Sequence, residues 1–168
     1  TRRTRSGRTN TVQAPATSRV SAATSLPSII TRPELLTVAA VCDRLLPPDA
    51  VHQSPGASAL GVPSYIDLML ASPELTGQRD LVLQILPILD RQSRIRTRGR
   101  AFHEATSDEQ DSLLAAWQHG RGGDARFFQA MLTLTLEGAF GDPRHGGNQG
   151  GAGYAMIGFT PGMPVVAG

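Results

Sequence analysis

The sequence predicts an all-α fold, a compact bundle of about five helices flanked by a disordered basic N-terminal arm and a glycine-rich C-terminal strap. Three observations carry this prediction. Apolar residues recur at three- and four-residue spacing through residues 31–141, helix caps and breakers punctuate that stretch, and no segment alternates convincingly with the period of a strand. The chain divides accordingly into a low-complexity arm (1–30), a helical domain (31–141) and a docking tail (142–168). A domain of that size can bury one hydrophobic core without a disulfide or a metal staple.

Order is expected from Thr31. Thr31 and Glu34 form a T-x-x-E capping box, and Pro33 sits in the first turn, where a missing N–H costs nothing. Leu35, Leu36, Ala39, Cys42, Leu45 and Leu46 then trace one apolar stripe, ended by Pro47-Pro48. A loop at 49–61 leads to a short helix at about 62–71, with Tyr65, Leu68 and Met69 on its apolar side. Pro73 opens a third helix expected over 74–98, with Pro87 kinking it by removing a backbone bond. Ser107 and Gln110 read as a second capping box, S-x-x-Q, before a helix carrying Leu113, Leu114 and Trp117 that stops near Gly120. Asp124 is the expected cap of the last helix, in which Phe127, Phe128, Met131, Leu132, Leu134 and Leu136 lead to Phe140. Apolar around most of its circumference, that helix is expected at the centre of the core.

Charge separates along the chain. All 16 basic residues are arginine, and residues 1–32 carry six of them with no acid, while residues 33–168 carry ten against fourteen acids. The pI near 9.3 thus describes the arm, and the body is mildly acidic. Too little apolar surface is present in the arm to offset its ordering entropy, so it is expected to be disordered when alone. A nucleic-acid-binding domain should carry its positive charge on a folded face, which argues against that class. No apolar run is long enough to span a membrane, and Arg2-Arg3 is not followed by the apolar segment of an export signal, leaving periplasm and cytoplasm both open as compartments. Arg91, Arg94, Arg96, Arg98 and Arg100 cluster at the end of the third helix. They read either as a solvated helix end or as a patch that grips an acidic partner.

Signatures of catalysis are lacking. The four histidines (His52, His103, His119, His145) show no metal-ligand spacing, and no GxSxG, HExxH or Walker sequence occurs. The single cysteine, Cys42, lies on the apolar stripe of the first helix and reads as a small buried hydrophobe. No catalytic, cofactor-binding or metal-ligating residue is assigned.

The distinctive segment is GDPRHGGNQGGAGYAMIGFTPG, which places eight glycines between Gly141 and Gly162 beside Tyr154, Met156, Ile157 and Phe159. Flexible linkers lack such large apolar residues. Glycines permit positive φ and close backbone approach, and the apolar residues can anchor, so the segment reads as an ordered strap docked on its own body or on a partner. A phosphate-binding loop needs a following helix, and none is expected after Gly153, because Pro161 and Pro164 interrupt what remains.

The tail resembles that of the gluconate 2-dehydrogenase small-subunit family. The residues carrying the resemblance are Asp142-Pro143, His145-Gly146-Gly147-Asn148, Gly153-Tyr154, Ile157-Gly158 and Pro161-Gly162, with Phe159 where the family favours Tyr. His145 stands in place of a usual Tyr, and Tyr154 in place of a usual Trp. Upstream, Cys42-Asp43-Arg44-Leu45-Leu46-Pro47, Gly61-Val62-Pro63 and Tyr65-Ile66-Asp67 extend the resemblance over about residues 33–162. It implies a non-catalytic small subunit that supports folding, stability or export of a large FAD-dependent dehydrogenase of the glucose–methanol–choline type, acting on a sugar or glycoside. FAD is then expected in the partner chain, a cytochrome c subunit can join the complex, and the tail residues above form the docking surface. Two other readings stay open: an independent helical binding protein whose Arg-rich arm contacts an anionic partner, and an enzyme with a dispersed site using His145 and Asp142.

Overall fold

The structure, a computed structural model, describes residues 28–162. The arm expected to be disordered and the last six residues of the tail therefore fall outside the described residues, except that Ser28, Ile29 and Ile30 are placed. Ile30 is buried, and the backbone N–H groups of Ile29 and Ile30 both donate to Asp67 Oδ1, at 3.1 and 3.0 Å.

The described residues form α1 (Arg32–Leu45), α2 (Val62–Leu70), α3 (Thr76–Arg96), α4 (Ser107–Gln118), α5 (Gly123–Phe140) and α6 (Ala152–Met156), with four short 3-10 turns and no strand. The all-α expectation holds. The count of helices rises by one, because the tail contributes α6.

Helix α5 is the central element and touches each of α1, α2, α3, α4 and α6. Phe127, Met131 and Leu134 on α5 are almost wholly buried, against Val38 and Val41 of α1, Ile66 and Leu70 of α2, Leu86 and Leu89 of α3, and Leu113 of α4. Trp117 meets Phe127 edge-on, with ring centroids 5.5 Å apart, and its indole N–H donates to Gln92 Oε1 at 3.0 Å. Burial of side chains this size stabilises by about 1.5–3 kcal/mol each, so this cluster decides the fold.

Local signals are confirmed or displaced for identifiable reasons. At α1, Glu34 reaches back to accept from the Thr31 N–H at 2.9 Å, as expected of the capping box. At α4 the cap is Thr106 rather than Ser107. The Thr106 N–H donates to Glu109 Oε2 at 2.8 Å, and Thr106 Oγ1 accepts from the Glu109 N–H at 3.4 Å. Gln110 is instead buried and donates to the Phe102 carbonyl at 2.7 Å. The cap of α5 is Gly122, with φ 76°, and Asp124 lies within the first turn, where its charge faces the positive end of the helix dipole. Helix α3 begins at Thr76, after a 3-10 turn at Pro73–Leu75, and remains helical through Pro87, which is solvent-exposed.

The resembling motifs of the domain act as joints between elements. Asp43 accepts from the N–H and the hydroxyl of Ser58 at 2.8 and 2.6 Å, fixing the loop before α2. Arg44 makes a two-pronged bridge to Asp111 at 2.6 and 2.7 Å, tying α1 to α4. Gly61 adopts φ 78° at the start of α2. Cys42 is fully buried and accepts from Thr135 Oγ1 at 3.4 Å, joining α1 to α5.

At the C-terminus of α3 the Gly99 N–H bonds to the Arg94 carbonyl at 2.8 Å, the long bond of a Schellman-type ending. The left-handed position within that ending belongs to Arg98, with φ 60°, where a Cβ is disfavoured.

Two predictions follow from this packing. Burial pushes the Cys42 thiol up to about 12, against the smaller opposing effect of the Thr135 hydrogen bond. Thiolate is therefore scarce below that range, and a thiol reagent at about pH 8 should modify Cys42 only as the protein unfolds. Labelling of the native protein at the free-thiol rate would contradict this. Replacing Arg98 by Gly should relieve the left-handed strain and raise stability by up to about 1 kcal/mol in urea denaturation.

Candidate docking surface

The tail leaves α5 at Gly141 and turns back onto the helix it has just left. Asp142 caps a 3-10 turn at Pro143–His145; its Oδ1 accepts from the Arg144 N–H at 2.9 Å, and its Oδ2 accepts from Arg144 Nε and Nη2 at 2.9 and 2.6 Å. The side-chain and backbone bonds to Arg144 hold the Asp142 carboxyl well below the usual carboxylate range, at about 2. Both Asp142 oxygens are thus occupied, and no hydrogen bond among the described residues joins it to the exposed His145 ring, so these two are not arranged as a base and its orienter.

Gly147 then passes against α5. A Cβ on Gly147 would lie 2.1 Å from the Gly138 carbonyl oxygen, and one on Gly153 would lie 1.8 Å from that of Ala139. No side chain fits at either point. Gly138 is itself constrained, since a Cβ there would stand 2.6 Å from the Tyr65 ring. Between the two tail glycines, Asn148 is fully buried with φ 45° and ψ 45°. Its amide donates to the Gly141 carbonyl at 2.8 Å, and its carbonyl oxygen accepts from the Gly153 N–H at 2.7 Å. One side chain therefore closes the loop from both ends. The Gln149 N–H adds a bond to the Leu60 carbonyl at 3.1 Å.

This clasp sets the short helix α6. Contrary to the expectation, a helix does surround Gly153, although its five residues end at Met156, well before Pro161. Beyond it the chain turns outward. Tyr154 and Phe159 meet edge-on with ring centroids 4.8 Å apart, and the Phe159 N–H returns to the Tyr154 carbonyl at 2.9 Å. Phe159 remains 43 % exposed and Ile157 58 % exposed. Tyr154, Phe159, Pro143 and Pro161 line an open groove of about 640 Å³, with Asp142 and Gly158 also along its wall.

The sequence-predicted docking residues thus separate into two sets. Gly147, Asn148 and Gly153 are buried against the protein's own α5, with Gly146 providing a positive-φ turn of 93° beside Leu68. His145, Ile157, Gly158, Phe159, Pro161 and Gly162 face solvent, and Asp142, Pro143 and Tyr154 frame the groove. The arginine cluster also divides. Arg94 is bound to Asp90 and to the Gly99 carbonyl, and Arg100 to Glu109, whereas Arg91, Arg96 and Arg98 form no ion pair among the described residues. Gly138, the partner of the tail, was not legible as a functional position; its signal is a glycine inside a strongly apolar helix. Among the described residues no cluster of three or more His, Cys, Asp or Glu side chains could hold a metal ion, and no helix is long and apolar enough to cross a membrane.

The family model for gluconate 2-dehydrogenase subunit 3 matches residues 32–162, and the chain belongs to that family. Neither the curated proteins nor the solved structures gave a match.

The clasp makes a sharp prediction. Gly153→Ala or Gly147→Ala should lift the tail from α5, and Asn148→Ala should lose both bonds at a cost of about 1–3 kcal/mol. Each should bring rapid proteolysis in the tail without unfolding α1–α5, and unchanged protection would rule the clasp out. The bound form of Asp142 stabilises the turn above its unfolded value, and that contribution is lost as pH falls from about 4 through about 2. A carboxyl titration followed by NMR should therefore place the Asp142 midpoint near 2.

Proposed function

We propose that this member of the gluconate 2-dehydrogenase subunit 3 family is a non-catalytic small subunit that docks a large FAD-dependent dehydrogenase of the glucose–methanol–choline type. The family description names a dehydrogenase subunit, which supports association with a dehydrogenase complex. The flavin and the groups that oxidise a sugar or glycoside hydroxyl belong, in this reading, to the larger chain. A cytochrome c subunit is the electron acceptor it invokes, and support of folding, stability or export of the flavoprotein is the role assigned to the small subunit.

The observation that carries the proposal is the pair Ile157 and Phe159, exposed beside an apolar groove on a tail whose backbone is fixed from behind. A tail intended only to close the core could end on polar residues once Gly153 is seated. Exposed aromatic and aliphatic residues on a rigid support instead fit the anchors of a protein interface.

Co-expression with the flavoprotein tests this. The two chains should co-purify, and the flavoprotein should lose solubility or activity when expressed alone. Deleting the tail is a poor probe, because it would uncover Gly138 and Ala139 on α5. Ile157→Ser with Phe159→Ser is cleaner: the helical domain should stay folded, losing inside the chain only the Tyr154–Phe159 contact, while burial lost at the interface weakens the complex by about 2 kcal/mol, roughly thirtyfold in Kd. Full affinity in that variant would remove the tail from the interface.

A further inference from the structure

We propose that the exposed end of α3 is a second docking surface, in which Arg91, Ile95 and Arg98 engage an acidic face of a protein partner. Arg91 and Ile95 are four residues apart on α3 and lie one turn from each other on one face, and Arg98 stands exposed two residues past the last residue of the helix. Ile95 is 74 % exposed, on the side of α3 that faces away from Val82, Leu86 and Leu89.

The surrounding arginines do not share this role. Arg94 is occupied by Asp90 and the Gly99 carbonyl, and Arg100 by Glu109. Arg96 turns instead into a recess that it lines with Asp108 and Glu109. Arg91 and Arg98 have no carboxylate within 4.0 Å among the described residues. They are uncompensated cations on a body that is net acidic, since residues 28–162 hold 11 arginines and 14 acids, a balance of −3.

Conformation supplies a separate argument. Arg98 occupies the left-handed position of the helix ending, with φ 60°, directly before Gly99. Glycine would sit there with less strain, yet an arginine is held there and carries its charge just past the end of the helix. Strain retained at a solvent-exposed residue with no internal partner points to a use outside the chain.

Charge complementarity selects the occupant. An anionic bilayer or a nucleic acid requires a broad positive field, and two arginines on an acidic body do not supply one. A protein surface that offers carboxylates beside an apolar recess matches the two arginines and the isoleucine. The acidic remainder of the body repels such a partner elsewhere, which fixes its orientation.

The test uses the full chain and two independent readouts. The first is assembly with the flavoprotein, and to that extent it rests on the proposed subunit role. Arg91→Glu with Arg98→Glu should weaken assembly at least tenfold at low salt and flatten its salt dependence between roughly 50 and 300 mM. Ile95→Ser should weaken it several-fold at all salt concentrations, with the melting temperature of every variant preserved. The second readout needs no flavoprotein: a helical peptide with Leu at its centre and Glu one turn to either side, followed by fluorescence anisotropy. It should bind the wild-type chain and lose at least tenfold in affinity against the double charge reversal.

If the chain fails to assemble but the peptide behaves as expected, the subunit role is wrong and the acidic-partner surface stands. If assembly and peptide binding are both indifferent to the substitutions, the second surface does not exist. Binding to vesicles of roughly one-third phosphatidylserine, or to duplex DNA, that is abolished by the charge reversal while the peptide does not bind would overturn it in favour of a membrane or nucleic acid.

Discussion

The end of α5 and the tail approach each other more closely than any side chain would allow. Gly147 lies over the Gly138 carbonyl and Gly153 over that of Ala139, and Asn148 bridges Gly141 to Gly153 from within. Everything beyond Gly141 depends on this contact. It fixes where α6 starts, and α6 fixes the Tyr154–Phe159 pair and the exposed Ile157. The same contact reaches into the domain, since Gly138 lies under the Tyr65 ring and Tyr65 belongs to α2. A methyl group added at any of these glycines would be felt in three elements.

The residues that carry the family resemblance in the domain share one property. Asp43, Arg44, Gly61 and Asp67 each hold two parts of the chain together: a loop to a helix, α1 to α4, the entry to α2, and Ile29-Ile30 to α2. Their chemistry is that of joints, carboxylates accepting backbone N–H groups and a two-pronged arginine bridge, and none of them is aimed at a substrate. Fixing joints makes the scaffold rigid, while the residues that stand clear of it, Phe159 and Ile157 above all, are left to be read by something else.

The helices were legible because their stripes and caps are local properties. Thr31 with Glu34 needs only residues within one turn, and α5 announces itself by being apolar all round. The errors are equally physical. Ser107 and Thr106 are both good caps, and the choice between them depends on Gln110 being drawn into the core by the Phe102 carbonyl, a contact that spacing does not reveal. Helix α6 escaped notice because Gly153 is a poor helix former in isolation, and its N–H finds its acceptor in the Asn148 side chain, 5 residues away. The tail was identifiable as ordered from its mixture of glycines with large apolar residues. Which side of it faces inward was not, because the reason is Gly138, nine residues upstream of the Gly147 that it meets.

A tail already folded on its own body changes what association costs. A flexible strap would lose conformational freedom in every residue it ordered, about 1–2 kcal/mol each, and little of the gain from burying one phenylalanine and one isoleucine would survive. Here the glycines, which would lose the most, are already fixed against α5, so that loss belongs to folding of the small chain and is offset by its core. In the proposed complex, Ile157 and the exposed part of Phe159 would then contribute their burial to binding, as a preorganised surface should. In the proposed docking, the closeness of Gly147 and Gly153 to α5 is therefore what would let a small, thinly anchored surface hold a partner.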